Sequence, residues 1–131
     1  MTPGERVAAA ARATVGVRFR LHGRDPAMGL DCVGVAERAL SAAGCGACVP
    51  PDYAMASGRM PTGVRLAGLR ACDGAKAGDV LVCRVSAAQL HLAVRTGEGI
   101  VHADAALRRV VERPGEPPWP IEAAWRVKGE D

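Results

Sequence analysis

Five cysteines and three histidines are the side chains of this 131-residue chain best able to do covalent or proton-transfer chemistry. Cys32 has the most informative neighbours, in Gly29-Leu30-Asp31-Cys32-Val33-Gly34. Asp31 is a good helix N-cap, and Cys32, Val35, Ala36, Ala39, Leu40 and Ala43 recur at helical spacing before Gly44 closes the helix. Cys32 therefore falls in a first helical turn, where unpaired backbone N–H groups and the helix dipole favour a thiolate. The Cys32 N–H is also the natural first donor to an oxyanion forming on a substrate carbonyl.

A thiol nucleophile needs an imidazole that holds the thiolate as an ion pair and then protonates the leaving amine. The candidates are His22, His91 and His102. His91 opens the apolar run His91-Leu92-Ala93-Val94, and His102 ends Ile100-Val101-His102 after a Thr96-Gly97-Glu98-Gly99 turn. On paired antiparallel strands the two can lie side by side, so that His102 orients the ring of His91. His22 lies in a glycine-rich loop and reads as a solvated or substrate-lining side chain. The second oxyanion donor is not evident.

Plainer readings compete with each of these. A lone cysteine in an apolar helix is usually a small buried hydrophobe, and a histidine in an apolar strand is usually structural. Cys45-Gly46-Ala47-Cys48 has the spacing of half a zinc knuckle, but Cys72 and Cys83 are too far apart to supply the other half. No metal or other cofactor is expected, and no redox role for that pair.

Composition narrows the setting. At 49% hydrophobic, with Phe19, Tyr53, Trp119 and Trp125 as its aromatics, the chain suits one domain over residues 1–131 with a core of Ala, Val and Leu. A net charge of +3 with dispersed arginines does not make a nucleic-acid-binding face. No stretch approaches the roughly 20 apolar residues that span a bilayer, and the N-terminus lacks a secretory apolar region. The expectation is synthesis in the cytoplasm without a signal peptide, no membrane insertion, and free thiols rather than a disulfide framework.

Elements follow from periodicity and punctuation. Thr2-Pro3-Gly4-Glu5 is a capping box opening a helix to about Val15. Residues 16–30 read as a loop, and short helices are expected near Tyr53–Arg59 and Gly63–Ala71. Strands are expected at Asp79–Val85, His91–Arg95, Ile100–Ala103, Arg108–Glu112 and Ile121–Val127, with residues 114–120 a proline-rich connection. Helices first and strands after, joined by short links, give an α+β fold in which the Cys32 helix packs on an antiparallel sheet of about five strands.

Phe19-Arg20-Leu21-His22-Gly23, Gly29 to Gly34, Ala77-Gly78-Asp79-Val80-Leu81, His91 to Val94 and Val101-His102-Ala103 together resemble the NlpC-type cell-wall cysteine peptidases, in that order and at similar spacings. The resemblance runs over nearly the whole chain. It implies a papain-like fold and cleavage of peptidoglycan stem peptides next to D-glutamate and a diamino acid. In that family Cys32 matches the nucleophile, His91 the base and His102 the third, orienting residue, while Phe19, His22 and Asp31 fall around the substrate. Phe19 stands where many relatives carry a tyrosine near the oxyanion site, so His22 or a backbone N–H is the implied replacement. The compact chain and the 19–25 segment are most similar to members encoded with phage tails or gene-transfer agents. These are carried to the periplasmic wall in a particle, with its hub proteins as partners. Two other readings stay open: a catalytically weak structural hub component, and a thiol amidase or acyltransferase acting on a non-wall substrate.

Overall fold

In this computed structural model residues 1–45 and 68–130 are described. The first helix, α1 (Pro3–Arg12), starts as expected: Thr2 Oγ1 accepts the Glu5 N–H at 3.1 Å while Glu5 accepts the Thr2 N–H at 2.8 Å. It ends earlier than Val15, because the chain turns to reach the sheet, where the Gly16 N–H donates to the Val110 carbonyl. The segment expected as loop holds a small hairpin, β1 (Arg24–Asp25) with β2 (Gly29–Leu30), too short for alternation to reveal. The second helix, α2 (Cys32–Ser41), opens with Asp31 as N-cap, its carboxylate accepting the Gly34 N–H at 2.9 Å.

The main sheet contains β3 (Leu69–Ala71), β4 (Val80–Ser86), β5 (Gln89–Arg95), β6 (Gly99–Asp104), β7 (Arg109–Pro114) and β8 (Ile121–Val127). Their order is β3-β8-β4-β5-β6-β7, every neighbouring pair antiparallel. This is the expected α+β architecture with six strands instead of about five. The additional strand, β3, replaces the end of the helix expected over Gly63–Ala71. The rest of that helix and the one at Tyr53–Arg59 lie outside the described residues, as does Cys48.

Both helices cover one face of the sheet. Val7 and Ala11 of α1 and Val33, Val35, Ala36, Ala39 and Leu40 of α2 meet Val80, Val82, Leu92, Val94, Val101 and Val110. Each such Val or Leu contributes about 2 kcal/mol by leaving water. Leu81, Cys83, Ala93, Ile100 and Ala124 form a smaller cluster on the opposite face, capped by Cys72 and Trp119. Among the described residues no helix is long and apolar enough to cross a membrane.

Two features aim the site. Gly34 abuts the Gly23 carbonyl so closely that a Cβ there would collide with it, which lets the β1–β2 segment lie against the first turn of α2. In the sheet, β5 and β6 are paired at Arg95–Ile100 and Val94–Val101, and beyond these residues the two strands part. The start of α2 faces that opening.

Candidate active site

Cys32, His91 and His102 all line one cleft of about 570 Å³. Asp31 caps the helix that carries Cys32, and its buried carboxylate does more than cap. Its Oδ2 accepts the His22 N–H at 2.8 Å and its Oδ1 also accepts from Arg24 at 3.1 Å. These bonds hold His22 in the left-handed region, φ 61°, which a non-glycine residue occupies at a cost. Asp31 is thereby committed to shaping the wall of the cleft.

His91 comes from β5 and His102 from β6, and their rings bridge the parted strands through a 2.9 Å bond between His91 Nε2 and His102 Nδ1. The expected neighbour relation is thus present, but it is diagonal and lies beyond the β5–β6 ladder instead of across paired residues. With Nε2 engaged, Nδ1 is the His91 nitrogen left for a thiol. Phe19 lines the cleft as well, held by its N–H to the Arg108 carbonyl at 2.9 Å and by its bridge to Leu30. It offers no hydroxyl. His22 lines the same cleft from an exposed position.

The electrostatics oppose the pull of the helix start. Burial pushes the Cys32 thiol up to about 12, outweighing the Leu92 and Val33 N–H groups that favour its anion, and the Asp31 charge adds to the rise. Burial also pulls His91 down to about 4, with His102 acting in the same sense and Asp104 and Asp31 against it. His102 is lowered too, by burial and by Arg113, against the pull of Asp104. Both shifts run toward thiol and neutral imidazole, against the ion pair that the helix start alone favours. In that state proton transfer from Cys32 to His91 has to accompany attack on the substrate.

Among the cleft residues that sequence reasoning missed, two bear on the histidine pair. Trp119 lies with its ring centroid 5.3 Å from those of both His91 and His102, nearly perpendicular to each. Asp104, two residues after His102, lines the same cleft. Trp119 sits in Pro117-Pro118-Trp119-Pro120, and a tryptophan among prolines in a chain so poor in aromatics is the signal that could have found it.

Among the described residues one cluster could hold a metal: Cys72, Asp73 and Asp79 bring their donor atoms within 4.8 Å of one another. Arg126 occupies it, donating to Asp79 at 2.8 and 2.7 Å and to Asp73 at 3.0 Å, so one guanidinium already engages both carboxylates. Cys32, Cys72 and Cys83 are free thiols.

No family model matches this sequence, and no curated protein matches it. Solved structures do. NlpC1 from Trichomonas vaginalis superposes with a TM-score of 0.71 at 19% identity, over 95% of this chain and 45% of that one. The NlpC/p60 domain of the peptidoglycan hydrolase SagA gives 0.53 at 26% identity, over 85% of this chain and 88% of that one. The peptidoglycan hydrolase RipB from Mycobacterium tuberculosis gives 0.61 at 21% identity, over 95% and 64%. This chain spans less than half the length of the Trichomonas protein. The fold that brings Cys32, His91 and His102 to one cleft is the papain-like α+β fold of NlpC/p60 proteins, peptidoglycan hydrolases among them.

Proposed function

We propose that the chain is a cysteine endopeptidase that cleaves peptidoglycan stem peptides, at the bond between D-glutamate and a diamino acid. The observation that carries this reading is the meeting of Cys32 at a helix start with the bonded His91–His102 pair in one open cleft. Cys32 gives its proton to His91 Nδ1 as the sulfur attacks the amide carbonyl. The Cys32 N–H faces the oxyanion, with His22 as the candidate second donor in place of a phenol at Phe19. His91 then protonates the departing amine, His102 holds the ring, and water, deprotonated by His91, releases the acyl group.

Digestion of purified murein, followed by mass analysis of the muropeptides, tests the activity and names the bond. Wild type is expected to release fragments and Cys32→Ala none. Equal release by both proteins overturns the reading.

The setting we infer is a phage-tail-like or gene-transfer-agent particle, made in the cytoplasm and acting on the periplasmic wall with hub proteins as partners. The likeness of the Phe19 to Asp25 segment to members carried in such particles supports this. Co-purification with particle structural proteins is the expected result, and a wholly free enzyme in a producing lysate the opposing one.

The burial of Cys32, which pushes its thiol up, favours one second reading, a hub component that keeps the fold for docking. On that reading murein is untouched while particle assembly requires the chain.

A further inference from the structure

Two neutral imidazoles joined by one hydrogen bond can arrange their protons in two ways, and one of them suits a thiol. For His91 Nδ1 to accept the Cys32 proton, the His91 proton must be on Nε2 and donated to His102 Nδ1, with the His102 proton on Nε2. Hydrogens follow here from that requirement. A single proton taken from solvent at His91 Nδ1 reverses the bond. The His91 Nε2 proton crosses to His102 Nδ1, and His102 becomes an imidazolium that donates to His91 Nε2. His91 stays neutral, with its one proton now on Nδ1. That proton now faces Cys32, and the base is blocked.

The first arrangement persists where water does not reach the pair. His102 is 5% exposed, and His91 is half-buried where it meets the cleft. The indole of Trp119 lies against both rings, at interplanar angles of 78° to His91 and 83° to His102, while the two imidazoles stand perpendicular to each other with centroids 5.0 Å apart. The charged and titratable groups facing the pair come from several elements. Asp104 on β6 favours protonation of both rings and Arg113 on β7 opposes it at His102. Asp31 and Cys32 bear on His91 from the start of α2, and His22 lines the same cleft. With Asp104 inviting a proton, an apolar cover is the feature that withholds it.

We propose that Trp119 is a positioning residue, whose indole keeps the His91–His102 bond dry and so fixes the His91 proton on Nε2. The proposal rests on the assignment of Cys32, His91 and His102 as the reacting group, and makes the connection between β7 and β8 part of it.

Two measurements on Trp119→Ala and Trp119→Phe test it. In nitrogen-15 spectra of the imidazoles, wild type is expected to hold His91 as the Nε2–H tautomer at neutral pH, and Trp119→Ala to populate the Nδ1–H form. In pH profiles of muropeptide turnover, Trp119→Ala is expected to move the acid limb up by about 1 unit. It should also lower kcat about tenfold at neutral pH with KM little changed. Trp119→Phe should recover most of both, and in a His102→Asn background Trp119→Ala should add less than about twofold, because the bond it protects is gone. An unchanged tautomer with an unmoved acid limb overturns the proposal, as does a rise in KM alone, which makes the indole a substrate wall. If wild type leaves murein intact, the proposed function fails, while the spectra still decide the role of Trp119.

Discussion

The cleft and the opposite end of the sheet treat buried polar groups in contrary ways. Where the strands β3, β8 and β4 meet the chain termini, charges are paired. Asp79, fully buried, is held by Arg126, and Glu130 accepts the Gly4 N–H at 2.5 Å and pairs with Lys76 at 3.2 Å. Arg70 donates to the Glu130 carbonyl at 2.8 Å, closing the tail onto β3. In the cleft, Cys32 and His102 are buried and His91 half-buried with no full counter-charge, and all three are shifted toward their neutral forms. Paired charges resist change, whereas neutral groups near one another can pass a proton at small cost. One end is built for holding and the other for transfer.

That contrast can be broken or sharpened by substitution, starting with the largest effect. His91→Ala is expected to lower muropeptide turnover by about a thousandfold or more. It should leave the urea midpoint nearly unmoved, since the lost group is a neutral, half-buried one; a large fall in stability would mean that the cleft also holds the fold. Arg126→Ala should do the reverse. It strands the Asp79 carboxylate and costs about 3 kcal/mol in urea unfolding, with turnover of the remaining folded protein unchanged.

Next comes pH. Thr2, Gly4 and Lys76 hold the Glu130 carboxyl down at about 2. A lowered carboxylate adds stability that is complete above the unfolded value, near 4.3, and disappears as pH falls from about 5 to about 2. Glu130→Gln is expected to lower Tm by about 5 °C at pH 7 and to flatten the loss in that window. His91, held neutral, acts over a higher range. Unfolded chain takes up its proton below about 6.5, so stability declines from there toward pH 4, and His91→Ala removes that slope. Thermal melts at closely spaced pH separate the two. The smallest effect belongs to Thr2→Ala, which removes the α1 cap bond together with the Thr2 support of Glu130 and costs about 1 kcal/mol without touching the cleft.

What the sequence disclosed and what it withheld divide along the range of the interactions. The capping box at Thr2 and Glu5, the N-cap at Asp31 and the strand through Ile121 to Val127 were legible, because caps and alternation are read within a few residues. The hairpin at Arg24–Leu30 and the strand at Leu69 were not, since their pairing partners and not their own patterns define them. That Cys32 and His91 line one cleft was legible from the ordered motifs of the resemblance. Their shift toward neutral forms was not, because burial is a property of what packs over them. Trp119 was missed for the same reason: it reaches His91 from 28 positions along the chain, through a connection whose prolines read as punctuation.

The parted seam also bears on how the molecule assembles. Strands β4 and β5 zip together over most of their length, and so do β6 and β7, each pair joined by a short turn, whereas β5 meets β6 at Arg95–Ile100 and Val94–Val101. His91 belongs to one hairpin and His102 to the other. Each hairpin can form from local contacts, early and independently. The histidine pair comes into being when the two dock, so in a refolding experiment catalytic competence is expected to trail the recovery of β-structure.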